Sequence, residues 1–269
     1  MKTFSVYGLL ILGAGFALFP FAWMVGASLM TLQEVSASKL VLLPADPQWS
    51  NYKDAMSAAP FGRYFMNTFG IAGAVAVGVV FTSILAGYAF ARLEFFGKRF
   101  LFVMLLATMM VPFEAMLIPN YLIVTKLGWY NTYWALVVPW CANAFSIFLM
   151  RQAFRTIPND YFDAAILDGC THMRFLTRIA IPLARPTIMV VALFAFLGSY
   201  NALLWPLIVT NTESMRMVQV GLTFFVTDAG VRMNLLMAAS VVVIIPVLAL
   251  YFVAQRSFVE GAANTGLKG

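Results

Sequence analysis

Three carboxylates stand close together in this chain, Asp160, Asp163 and Asp168, and the single histidine, His172, follows four residues after the last of them. Paired carboxylates can serve as general acid and base, and a histidine with suitable neighbours can hold a metal. Neither chemistry suits this stretch. Nothing around the aspartates excludes water or holds a substrate, so they read as helix-capping and docking groups. His172 has no second ligand at useful spacing. The two cysteines, Cys141 and Cys170, show neither metal-ligand spacing nor a CxxC pattern. No GxxxxGK run followed by Ser or Thr occurs, so the chain has no phosphate-cradling loop of its own.

Glu114 differs from these, because it sits inside a long apolar run. An ionisable group is costly in lipid, and a functional role is the default expectation there. It stands between Pro112 and Pro119, which are expected to kink their helix and free backbone carbonyls. Glu114 therefore either lines a polar cavity or makes a structural hydrogen bond across helices. Asn143, Ser199, Tyr200, Asn201 and Trp205 offer polar edges and aromatic faces of the kind a carbohydrate needs, with interhelical hydrogen bonding as the alternative role. The candidates for a substrate path are thus Glu114, Asn143, Tyr200, Asn201 and Trp205.

Composition sets the elements that must carry these residues. Of 269 residues, 62% are hydrophobic and 10% are charged, against roughly 25% charged in an ordinary soluble domain. Mean hydropathy is +0.87. These values exclude a soluble globular enzyme, a disordered chain and a secreted disulfide scaffold. The net charge of +6 does not indicate nucleic acid, because the basic residues punctuate apolar runs instead of forming a face.

A membrane helix needs about 20 predominantly apolar residues. Six such runs are present, at 4–30, 65–89, 100–124, 127–150, 187–212 and 233–255. The first is too long for the apolar region of a signal peptide. None alternates as the strands of a β-barrel would. An all-α membrane protein with six transmembrane helices is the expectation, since backbone polar groups in lipid must be satisfied within each segment. The chain reads as one transmembrane domain over 1–269, with a first helix at 4–30, a core at 64–255, a loop region at 152–186 and a tail at 256–269. The outer segment 31–64 is polar, contains Pro44, Pro47 and Pro60, and has room for a short helix around 51–58. Gly70, Ala74 and Gly78 are spaced for close helix approach, either inside the bundle or at a dimer seam.

Orientation follows from Lys and Arg. With the N-terminus inside, the inner segments hold eleven and the outer loops six. Both termini are therefore expected in the cytoplasm.

The inner connection over 152–186 is longer than ordinary, and such loops tend to be functional. Pro158 stops the preceding helix, and Asn159 or Asp160 is expected to cap a new one. Asp163 is placed in its first turn, where negative charge suits the helix dipole. Gly169 is expected to end this helix in the left-handed conformation. A second short helix is expected over 171–180, with Arg174 and Arg178 on one face. The result is a helix–turn–helix knob with more apolar surface than a solvated loop should carry. It is read either as a docking site rimmed by charge or as an interfacial helix pair lying on lipid headgroups.

The same loop resembles the EAA signature of the membrane subunits of bacterial ABC importers. The matching residues are Asp163, Ala164, Ala165, Asp168, Gly169 and Cys170, followed by Phe175, Ile179, Pro182, Leu183 and Pro186. Aspartate stands for the leading glutamate of the pattern and cysteine for its final alanine. The stretch from Gly87 to Arg92 with Gly97, Lys98 and Arg99 is similar to the sugar-importing branch. So are Pro112, Glu114, Pro119, Leu127 and Gly128 around Asn131 and Thr132, Tyr200 and Asn201 with Trp205 to Leu207, and Val220 to Leu222. The tail, with Gln255, Arg256, Phe258, Val259, Gly261, Gly266, Lys268 and Gly269, resembles the maltose-type second permease subunit.

The resemblance implies a type I ABC importer permease fold, a multi-pass bacterial inner-membrane location and a non-catalytic role in moving a sugar or sugar-like solute. It implies that Asp163, Ala164, Ala165, Asp168, Gly169, Cys170 and Phe175 form a cytoplasmic coupling helix. The implied partners are a second homologous permease subunit, two ATPase subunits that bind ATP and magnesium, and an extracytoplasmic solute-binding protein. No cofactor is implied in this chain. An ion-coupled secondary carrier using Glu114 is the alternative, though the repeated halves and broken helices of such carriers are not evident in the sequence.

Overall fold

In the computed structural model, residues 2–37, 42–228 and 230–266 are described, with side chains described only between 6 and 252. Lys39, Lys268 and Gly269 lie outside the described residues, as do the side chains of the tail.

From the N-terminus, α1 (Lys2–Ser28) is followed by the single-turn α2 (Leu32–Val35), by α3 (Ser50–Ser57) and by the long α4 (Phe61–Arg92). Then come α5 (Lys98–Thr108), α6 (Phe113–Lys126), α7 (Tyr133–Val137) and α8 (Ala144–Arg155). The long loop folds into α9 (Asn159–Leu167), α10 (His172–Phe175), a π-helical stretch at Leu176–Ala180 and α11 (Ile181–Leu183). Next are α12 (Arg185–Tyr200), α13 (Leu204–Val209) and α14 (Val218–Leu222). A two-stranded antiparallel ribbon, β1 (Val226–Thr227) with β2 (Gly230–Val231), leads into α15 (Met233–Gly266).

Among the described residues, three helices are long and apolar enough to cross a bilayer unaided, over Val6–Ser28, Phe61–Arg92 and Met233–Phe252. Three bent pairs bring the number to six if each is one span. The three apolar runs in the middle of the chain are therefore broken, the one at 100–124 beside Pro112, where a kink was expected. The run at 100–124 turns by 101° between α5 and α6. Pro112, extended at φ −65° and ψ 143°, supplies no N–H and cannot continue α5. By rise per residue α5 reaches about 16 Å and α6 about 21 Å, short of the about 30 Å hydrocarbon core. Pro119 leaves α6 unbroken. The run at 127–150 is not helical before Tyr133, passes through a 3-10 turn at Val138–Trp140 containing Pro139, and bends by 41° into α8. In the run at 187–212, α12 ends at Tyr200 and α13 is separate; α12 itself lies at 81° to the segment His172–Leu183. Each break occurs where proline or a short polar step interrupts apolar sequence, a feature that hydropathy averages away.

The chain divides into two compact units. In the first, Met1–Tyr64 with Val218–Leu250, α1 exposes apolar side chains along most of its length, as a lipid-facing helix does. Asn51 is buried and donates through Nδ2 to the carbonyls of Ser28 (2.9 Å) and Met30 (2.8 Å), while its Oδ1 accepts from Asn234 at 3.1 Å. Those carbonyls lie at and just beyond the end of α1, where intrahelical partners run out. Thr31 and Glu34 form a reciprocal capping box on α2. Hydrogen bonds from the Thr31 N–H and hydroxyl and from the Ala45 N–H hold the Glu34 carboxyl below its usual range. Phe61 stacks on Phe225 at 6.2 Å. A Cβ on Gly221 would meet Tyr64 Cδ2 at 2.7 Å, so glycine permits that approach.

The second unit, Phe65–Met217 with Tyr251–Gly269, holds a core that includes Val75, Val79, Phe154, Phe175, Trp205 and Val209. Of the small residues on α4, Gly70 and Ala74 are exposed, whereas Gly78 packs so closely on Cys141 that a Cβ would lie 2.5 Å from its sulfur. Two asparagines fasten loops. Asn67 Nδ2 donates to the carbonyls of Ser214 and Arg216. Asn131, at φ 57°, accepts from the amides of Asn211 (2.9 Å) and Thr212 (3.0 Å).

Candidate functional site

The loop after α8 folds into the expected knob. Pro158, extended at φ −56° and ψ 146°, occupies the N-cap of α9 and offers no side-chain bond. Asn159 and Asp160 were the expected caps, but both lie inside the helix, and Asn159 Oδ1 accepts from Arg92 instead. Asp160, not Asp163, falls in the first turn. The C-terminus of α9 is closed by Gly169 at φ +72°. Its N–H donates to Ile166 (2.9 Å) and that of Cys170 to Ala165 (2.8 Å), the two bonds of a Schellman motif. Thr171 caps α10, its hydroxyl accepting from the Arg174 amide. The expected second helix over 171–180 is thus one α turn followed by a π-helical stretch, a form often found at functional positions.

The knob has an inner and an outer side. Phe175 and Ala165 are buried. Phe162 meets Phe175 edge-on at 5.1 Å and lies 5.4 Å from the His172 ring. Such aromatic pairs add about 0.5–1.5 kcal/mol beyond the area they bury. Asp163, Ala164, Asp168 and Gly169 are exposed, and Cys170 is half-buried. Leu167 is 89% exposed, and Tyr161, Ile166 and Met173 stand out beside it. Arg174 and Arg178 are exposed on the neighbouring helix. An apolar tip flanked by charge on an ordered double-helix turn suits contact with another surface, a protein or the lipid headgroups, better than contact with water.

A second feature is a cavity of about 480 Å³ in the second unit, whose lining includes Phe113, Trp140, Asn143, Ser146, Ser199 and Trp205. Trp205 is buried, meets Trp140 edge-on at 5.8 Å and donates through Nε1 to the Ala135 carbonyl at 2.9 Å. Asn143 caps α8 at the break after α7, its Oδ1 accepting from the Ser146 amide at 2.9 Å and hydroxyl at 3.1 Å. Its amide nitrogen has no acceptor among the described residues.

Of the substrate-path candidates, the cavity brings together Asn143 and Trp205. Glu114, Tyr200 and Asn201 do not line it. Glu114 is exposed in the first turn of α6, facing the positive end of that helix. Tyr200 is fully buried against Phe69 and Phe196. Asn201 ends α12 as its C-cap. Sequence reasoning did not select Phe113, Trp140 or Ser146. The Pro139–Trp140 step just before Asn143 was the available signal, because a broken helix is where membrane sites form.

A family model described as the binding-protein-dependent transport system inner membrane component matches residues 78–259. The sn-glycerol-3-phosphate transport system permease protein UgpE of Brucella abortus is 33% identical over 266 residues, covering 96% of this chain and 94% of that protein. The arabinooligosaccharides transport system permease protein AraQ of Halalkalibacterium halodurans is 31% identical over 256 residues, covering 94% and 92%. A chain of a bacterial ABC transporter involved in the import of the acidic polysaccharide alginate superposes with a TM-score of 0.83 at 25% identity, over 95% of this chain and 96% of that one. A helical architecture with up to six spans and an exposed knob, matched along most of its length, has one consistent assignment: the chain belongs to the binding-protein-dependent transport system inner membrane components, the permease subunits of ABC importers.

Proposed function

We propose that this permease subunit passes a polyhydroxylated solute, a sugar or a sugar-like polyol phosphate, and is driven through the loop 158–186 by a separate ATPase. The observation that carries the reading is the ordered apolar tip at Leu167, closed by Gly169 at φ +72°. Asp163, Ala164, Ala165, Asp168, Gly169, Cys170 and Phe175 then form the coupling element, with Phe175 and Ala165 as its inner support. ATP and magnesium belong to the partner, because this chain carries no phosphate-binding loop. The subunit itself is non-catalytic.

Members of this family work with an ATPase and a solute-binding protein. The finer assembly we propose is a second homologous permease subunit and two ATPases, with both termini cytoplasmic as the Lys and Arg distribution favours. The relatives are named for glycerol phosphate and arabinooligosaccharides, and the common chemistry is a hydroxyl-rich solute. Asn143 and Trp205 meet at a cavity of suitable size for one sugar unit. Alternating access follows when closure of the ATPase pair moves the two knobs and switches the open side of the bundle.

The test is uptake by the complex in sealed vesicles. ATP-dependent uptake that needs the ATPase and the solute-binding protein and persists with ionophores is expected. Uptake by this chain without an ATPase, abolished by ionophores, would instead establish the ion-coupled carrier.

A further inference from the structure

The last turn of α4 carries two residues whose partners all lie around the knob. Tyr88 and Arg92 are four residues apart and so share one helix face. Tyr88 is buried; its ring meets Phe154 edge-on at 5.9 Å, and its hydroxyl is hydrogen-bonded to Nδ1 of His172 at 3.1 Å. Arg92 donates to Asn159 Oδ1 at 2.6 Å, to the Phe154 carbonyl at 3.1 Å and to the Ile157 carbonyl. Its guanidinium also lies 5.9 Å from the Phe162 ring centre.

These partners occupy particular places. The Phe154 and Ile157 carbonyls are at and just beyond the end of α8, where intrahelical donors run out. Asn159 is the first residue of α9, and His172 is the first residue of α10. Arg92 thus closes α8 and holds the start of α9, while Tyr88 holds the start of α10. The N-terminus of α9 has no side-chain cap of its own, so the external grip takes that place. The spacing is rigid as well: a Cβ on the adjoining Gly87 would lie 2.7 Å from Met150 Cβ and 2.9 Å from the Arg151 nitrogen. The α4 backbone therefore lies directly against α8, and the Arg92 Nε is buried there without an acceptor among the described residues.

We propose that Tyr88 and Arg92 are a two-point clamp that makes the knob move with α4, so that displacement of the knob is converted into displacement of a membrane-spanning helix. They are positioning residues for coupling, and the proposal rests on the reading that the knob docks on an ATPase. A bundle held to the knob only through the chain connections of α8 and α12 would let the knob swivel. A fork on α9 and a tether on α10 remove that freedom.

The experiment uses the complete complex in proteoliposomes, with Arg92→Lys, which keeps the charge but loses the planar fork, and Tyr88→Phe, which keeps the ring but loses the hydroxyl. The readout is solute imported per ATP hydrolysed. Both variants are expected to retain the ATPase and to hydrolyse ATP, while solute per ATP falls about fivefold or more, a typical size for one coupling free energy. A parallel fall in hydrolysis and uptake with an unchanged ratio would overturn the clamp, because a merely structural role predicts that result. An unchanged ratio at full activity would overturn it too. Should Arg92→Lys assemble poorly, Tyr88→Phe decides alone. A wild-type chain that retains no ATPase would take down the functional reading and the clamp together.

Discussion

The amide of Cys170 donates to the carbonyl of Ala165 at 2.8 Å, across the turn that ends α9. That bond forms only if Gly169 between them is left-handed, which it is at φ +72°. Cβ crowding makes this conformation cost an L residue about 1–2 kcal/mol, and a β-branched residue is a genuine outlier there. Gly169→Val is therefore expected to unravel the tip of the knob and to lower ATPase retention by the solubilised complex several-fold. Gly169→Asn, which tolerates the left-handed region, should retain most of it. Co-purification of the ATPase with each variant checks both outcomes.

Asn51 fastens the end of α1 through two carbonyls and one side-chain amide. Asn51→Leu fills the space but leaves the Ser28 and Met30 acceptors unsatisfied. The expected loss is about 1–3 kcal/mol, seen as a lower melting midpoint of the solubilised chain.

The capping box on α2 gives a pH dependence with a defined sign. The Glu34 carboxyl is held below its ordinary value of 4.5 by the Thr31 N–H, the Thr31 hydroxyl and the Ala45 N–H. A depressed folded-state value stabilises above the unfolded value, and the contribution is lost as pH falls through the folded one. Amide exchange at Thr31 and Glu34, corrected for intrinsic rate, should stay slow from neutral pH down to the ordinary carboxylate range and speed up below it. In Glu34→Gln this dependence should vanish.

The cavity separates two jobs of Asn143. Asn143→Ser keeps a side-chain acceptor for the N-terminus of α8 but withdraws the amide from the cavity. It is expected to leave assembly intact and to raise the half-saturating solute concentration for uptake several-fold. Asn201→Ala, outside the cavity, should leave that concentration unchanged. Uptake kinetics over a range of solute concentrations check the pair.

Local signals made the knob legible. Pro158, Gly169 and Thr171 act through backbone chemistry within a few residues, so the extent of α9 and its terminator could be read directly. The cap could not, because Asn159 is drawn away by Arg92, which lies 67 positions distant in the chain. The apolar runs were visible, and kinks were expected at Pro112 and Pro119, but which proline turns the chain was not: Pro112 breaks its run by 101° while Pro119 leaves α6 intact, and the two prolines look alike in sequence. The cavity was half legible. Asn143 and Trp205 stood out as polar or amphipathic groups in apolar sequence, whereas Phe113 is indistinguishable from lipid-facing phenylalanines until α6 is folded back. Tyr200 drew attention by its hydroxyl and proved to be packed among aromatic rings.

Docking of the knob on the ATPase is tested by a thiol cross-link from Leu167→Cys, at the exposed tip of α9, in native membranes containing the full transporter. A covalent adduct with the ATPase subunit, whose yield changes on addition of ATP, is expected. Labelling of this position by a lipid-soluble thiol reagent, with no adduct to any polypeptide in either nucleotide condition, would contradict it.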